Sequence, residues 1–144
     1  MELKKTNEQV QAIQDLIISS GAGFGDGNSI VEIPDTPIKH SFADQIYIRQ
    51  MNMKQDQVVV GAIHNHLHVW FLMEGRVIIN NNGEIVEHIA PCYTISEPGS
   101  KRIIYAVEDS TFVNIHKNPS NTKNMEDLQK ETVSFSVEEY EQKK

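Results

Sequence analysis

The sequence predicts a mainly antiparallel β fold, a barrel or a sandwich, and three observations carry this. From residue 30 nine short runs follow one another: SIVEI, QIYIRQM, QVVVGAIH, HVWFLM, RVIIN, EIVEHI, CYTIS, RIIYAV and TFVNIH. They are rich in the β-branched and aromatic residues that fit a pleated surface. Turn signals separate them at Pro34-Asp35-Thr36-Pro37, Glu74-Gly75, Asn81-Asn82-Gly83, Pro98-Gly99 and Glu108-Asp109. Helical patterning is confined to the two ends, and short strands at close spacing close on their neighbours as barrels or sandwiches.

Taken in order, residues 6–19 (TNEQVQAIQDLIIS) read as a helix, with Val10, Ile13, Leu16 and Ile17 on one face and Thr6 or Asn7 as its cap. That face suits packing on a sheet or on a partner subunit. GAGFGDGNS at 21–29 has the glycines of a phosphate loop, but no Lys-Ser/Thr follows, so a flexible connector is expected. The strands then occupy 30–118. The last part, 119–144, returns to polar helix as MEDLQKE and as VEEYEQ behind a capping Ser136, and is expected to be a solvated tail. The predicted organisation is 1–29 helix and connector, 30–118 β-barrel, and 119–144 helical tail.

A chain of 144 residues fits one domain with its own core. The net charge of −7 argues against a nucleic-acid polymer or an anionic membrane as partner. A single cysteine, Cys92, forms no internal disulfide, and no apolar run reaches the ~18 residues of a span. A cytoplasmic protein is expected.

Residues 61–70, GAIHNHLHVW, place His64, His66 and His68 at alternate positions. One strand would aim all three the same way. An unbroken strand over 57–73 would run to 17 residues, however, and strands usually stop near ~10. A break at Asn65-His66 is therefore predicted, so that His64 ends one strand, His68 begins the next, and the two face each other near a barrel mouth with His66 at the tip.

The order of these motifs resembles the cupins. Their first motif is G-x5-H-x-H-x3,4-E-x6-G, and a P-x-G-x2-H motif follows. Anchored on Gly75, the glutamate position falls on His68, the second histidine on His64 and the first on Ala62; in Glu97-Pro98-Gly99-Ser100-Lys101-Arg102 the histidine position falls on Arg102. The fuller pattern is similar to small cupin-like proteins of bacteriophages and prophages. It comprises Pro37-Ile38-Lys39-His40-Ser41-Phe42 with Tyr47-Ile48-Arg49, then Gly61-Ala62-Ile63-His64 with His68, then Pro98 to Arg102, Glu108-Asp109 and Ile115-His116. Trp70 departs from it, standing where a smaller polar residue is expected. The resemblance implies a cupin-like antiparallel β-barrel or jelly roll with an N-terminal helix and a helical C-terminal tail. It also implies that Arg102 points into the barrel.

Two chemistries compete for these residues. His64 and His68 can bind a divalent transition metal through imidazole, with His66 as a third ligand only if the turn folds inward. Arg102 at a ligand position opposes such an ion by charge. A protein without stoichiometric metal is therefore expected, and the metal at His64 and His68 is the alternative. The second chemistry is a basic pocket. Arg49 and Arg102 offer forks for carboxylate or phosphate, and His40, His64, His68, His116 and Tyr47 add donors and acceptors. Trp70 shares a face with His68 and serves either as an aromatic wall or as core. His40 has a plain alternative as a loop pin, and His116 as a satisfied strand-end histidine. His88 is expected to be exposed, and Lys101 and Tyr105 to face outward by alternation with Arg102. Cys92 is expected to pack rather than react, and no Ser-His-Asp order stands out.

These residues lead to an expected binding protein for a small anionic molecule, with His64, His68 and Arg102 at its centre. Given the resemblance, the ligand is expected to be nucleotide-derived, a host immune signal sequestered by a phage sponge in the host cytoplasm. A metal-dependent or histidine-based cupin enzyme and a phage structural or accessory protein are the alternatives. A homo-oligomer, most simply a dimer, is expected from the apolar helix face.

Overall fold

The structure, a computed structural model, describes residues 38–81 and 83–144. The predicted helix at 6–19, the glycine connector and the strand at 29–33 lie outside the described residues. Among the described residues the strands are β1 (Ile38–Ala43), β2 (Ile46–Met53), β3 (Val58–Val60), β4 (Ile63–His64), β5 (His68–Glu74), β6 (Arg76–Asn81), β7 (Glu84–Ile89), β8 (Cys92–Ser96), β9 (Arg102–Ala106), β10 (Ser110–Lys117) and β11 (Val133–Ser134). The helices are α1 (Met125–Thr132) and α2 (Val137–Lys143).

A five-stranded sheet runs β1-β2-β10-β5-β8, a four-stranded sheet runs β3-β9-β6-β7, and β11 pairs with β4. Every pairing is antiparallel. Alternation decides the faces: along β5 His68, Trp70 and Leu72 are buried, and along β10 Phe112, Asn114 and His116 are. The core joins Met51, Met53, Trp70, Leu72 and Phe112 of the larger sheet to Val77, Ile79, Ile104 and Ala106 of the smaller. Each of the Met, Leu, Phe, Val and Ile side chains contributes about 1.5–3 kcal/mol by leaving water. The tight β5–β6 turn needs Gly75, at φ +89°, because a Cβ there would meet Ser110.

Three local expectations need correction. The run at 57–64 breaks twice, at Gly61 as well as after His64, where Gly61 N–H leaves the strand to bond Arg102 O at 3.0 Å. Lys101 is buried, 1% exposed, not outward-facing; it precedes β9, so the two-residue period of a strand does not reach it. His40 lies on β1 rather than in a loop. The break at 65–67 is as expected, yet β4 and β5 do not pair with each other: β4 pairs with β11, and β5 with β10 and β8.

The tail is docked more firmly than a solvated face would be. Leu128, Thr132, Val133, Ser134 and Val137 are buried, and β11 aligns Val133 with His64. Asn124 caps α1 and Ser136 caps α2, as the sequence implied for Ser136. Among the described residues, no helix is long and apolar enough to cross a membrane.

Candidate functional site

His64 from β4, His68 from β5 and His116 from β10 converge inside the fold, all three buried. Their ring centroids lie 4.2 Å (His64–His68), 4.5 Å (His68–His116) and 5.4 Å (His64–His116) apart. One nitrogen of each lies within 4.8 Å of the others. The third histidine is thus His116 rather than His66. Because β4 is only two residues long, backbone bonds outside the sheets hold His64: its N–H donates to Ser100 O at 3.2 Å, and Gly99 N–H donates to His64 O at 2.7 Å.

Arg102 enters beside them from β9, 3% exposed. Its Nη2 donates to Asn114 Oδ1 at 3.1 Å and faces His68 Nε2 at 3.4 Å. A guanidinium only donates, so that His68 nitrogen is the acceptor. The guanidinium carbon lies 5.7 Å from the centroid of the Phe112 ring. No carboxylate among the described residues pairs with Arg102, and its Nε and Nη1 have no hydrogen-bond partner.

The site's electrostatics follow from burial and from this cation. Burial, with Arg102 next, holds His68 down at about 4. His64 is held well below the usual imidazole range by burial, then by Arg102; His116 is held there by burial, then by His68 and Arg102. All three rings are neutral at pH 7. Burial and the neighbouring Arg49 bring Arg102 down to about 10, so it stays charged. A buried cation, with a second guanidinium acting on it, therefore faces three uncharged imidazoles.

The other predicted site residues take graded positions. Tyr47 stacks on His116 at 5.9 Å and on Phe42 at 5.6 Å, and its Oη lies 2.7 Å from His40 Nδ1. Burial pushes its phenol up to about 12. Arg49 lies opposite both His40 and Asn114 in register. Trp70 takes the packing role rather than that of an open wall: it is 2% exposed in the core, stacked on Phe112 at 4.8 Å and edge-on to a half-buried His88 at 4.9 Å. The aromatic surface under Arg102 is Phe112. Asn114 was missed, although its place two residues before His116 puts it on the same inward face.

The donor set fits a divalent transition ion in part. Neutral imidazoles are the ligating form, and an ion with bonds of about 2.0–2.1 Å holds tetrahedral ligands roughly 3.4 Å apart, so nitrogens that lie within 4.8 Å of one another have to draw together to share it. Against this stands the Arg102 guanidinium at His68 Nε2, with no carboxylate among the described residues joining the cluster to offset it. His64, His68 and His116 fit an ion by donor type, and Arg102 opposes it by charge.

No protein-family model and no curated protein matches the sequence. Solved structures do. The plu4264 protein of Photorhabdus luminescens aligns with a TM-score of 0.55 at 17% identity, over 74% of this chain and 96% of that one. An RmlC-like cupin from Shewanella frigidimarina gives 0.54 at 16%, over 72% and 92%. A cupin 2 conserved barrel domain protein from Salinispora arenicola gives 0.53 at 11%, over 74% and 95%. The chain has the cupin fold, mainly antiparallel β with two short helices among the described residues. The narrower likeness to phage and prophage proteins has no counterpart among these structures.

Proposed function

We propose that the protein binds a small anionic molecule inside the fold, its carboxylate or phosphate held by Arg102 beside His64, His68 and His116. The observation that supports this is the buried guanidinium without a carboxylate partner among the described residues. An unpaired buried charge is costly, and an incoming oxyanion relieves that cost through charge-assisted hydrogen bonds. Tyr47, hydrogen-bonded to His40, stacks on His116, and Arg49 lies across from Asn114, so further polar groups neighbour the cluster. A nucleotide-derived host signal taken up by a phage sponge is the narrowest form of this reading, and the motif likeness is its support.

The test is calorimetric titration with inorganic phosphate, small dicarboxylates, nucleoside monophosphates and cyclic dinucleotides. Arg102→Ala is expected to weaken binding by roughly ten- to a hundredfold, the worth of one charge-assisted bond, and Arg102→Lys to weaken it less. Equal affinity in wild type and Arg102→Ala sinks the proposal.

A second reading is favoured by the histidine cluster: a divalent transition ion on His64, His68 and His116, as in an enzyme. Elemental analysis finding one such ion per chain, lost in His116→Ala, selects it.

A further inference from the structure

We infer that Asn114 is the positioning residue that keeps the Arg102 charge available to a ligand; this rests on the anion-binding reading above. Asn114 sits in the middle of β10, 5% exposed, directly across from Arg49 on β2 and Trp70 on β5. Its Oδ1 accepts from Arg102 Nη2 at 3.1 Å. The amide therefore fixes the orientation of the guanidinium, and it carries no charge.

The chemistry of this position is sharp. Asparagine and aspartate have nearly the same shape. Aspartate would hold the same geometry, but it would form a buried ion pair with Arg102, with Arg49 on the neighbouring strand. The guanidinium would then be satisfied from within the protein. A protein selected only for stability has reason to place a carboxylate here, because a buried cation is costly when unpaired. The amide orients Arg102 without neutralising it, and Nε and Nη1 remain without partners among the described residues. A neutral acceptor at 114 thereby selects an anion over a cation, and it favours an oxyanion that can take several N–H donors at once.

The experiment is a double-mutant cycle on the full chain. Thermal melting is measured for wild type, Asn114→Asp, Arg102→Met and the double variant, and each protein is titrated with inorganic phosphate. Asn114→Asp is expected to raise the melting temperature when Arg102 is present and to lower it in the Arg102→Met background, where the carboxylate is buried alone. It should also weaken phosphate binding at least tenfold. Asn114→Ala, which loses the orienting bond but keeps the charge, should weaken phosphate binding less and leave the melting temperature lower. An Asn114→Asp variant that melts no higher than wild type, or that has the same effect in both backgrounds, overturns the inference. So does one that binds phosphate as well as wild type does. If wild type responds to none of phosphate, small dicarboxylates, nucleoside monophosphates and cyclic dinucleotides while the stability effect reverses sign as described, Asn114 still positions Arg102 and the anion-binding function falls.

Discussion

Single residues carry most of the site's meaning, and Tyr47 shows how a side chain can serve packing and polarity together. Its ring lies between Phe42 and His116, and its hydroxyl meets His40. Removing the hydroxyl alone (Tyr47→Phe) keeps the stack and is expected to cost about 1 kcal/mol; Tyr47→Ala also opens a cavity and should cost about 3–5 kcal/mol. Urea unfolding of both variants checks the ordering, and equal costs would show that the stack contributes nothing. His64, His68 and Arg102 were legible in the sequence because turn and motif spacing place them. His116 was legible as a candidate but not as the third member of the cluster. That depends on β10 lying between β2 and β5, a non-local pairing that local spacing does not encode. Asn114 gave no signal of its own, since an asparagine in a strand is ordinary until its partner is known.

At the scale of elements, the tail positions the site. Asn65 N–H donates to Thr132 O at 2.9 Å, its side-chain amide to Glu131 O at 3.2 Å, and its Oδ1 accepts from Ser134 Oγ at 2.7 Å. These bonds and the β4–β11 pairing fasten the turn between His64 and His68 to the end of α1. Asn65 itself belongs to neither the histidine cluster nor Arg102. Asn65→Ala is therefore expected to cost about 1–3 kcal/mol through Ser134 and Glu131, and to weaken anion binding by loosening His64. Urea unfolding with parallel phosphate titration measures both, and a loss of stability with unchanged affinity would confine the tail to a structural role. The strand periods made β2 and β5 to β10 readable. The two-residue β11 was not, because so short a segment has no period and forms only where β4 offers an edge.

At the scale of the whole molecule, the buried histidines make stability depend on pH, and the sign follows from their depressed proton affinity. Below about 6.5 the unfolded chain takes up protons on these imidazoles, whereas native His68 resists until about 4 and native His64 and His116 are held low in the same sense. The contribution of His68 is therefore full above pH 6.5 and is lost as pH falls towards about 4, and His64 and His116 act in the same direction. His68 alone accounts for up to about 3 kcal/mol of that loss, because a tenfold drop in proton affinity on folding corresponds to about 1.4 kcal/mol. Urea midpoints measured from pH 7.5 to 4.5 should fall steadily, and His68→Gln should flatten the fall; a flat wild-type profile would mean that the cluster is not held neutral. The same measurement separates the two functional readings. An oxyanion beside the cluster favours imidazolium, so binding takes up protons, and the protection given by sulfate, which keeps its two charges across this range, grows as pH falls from 7 towards 5.5. A divalent ion needs the neutral rings and competes with protons, so its protection shrinks over the same range. Protection that grows on acidification supports the anion, and protection by added transition metal that fades on acidification supports the ion.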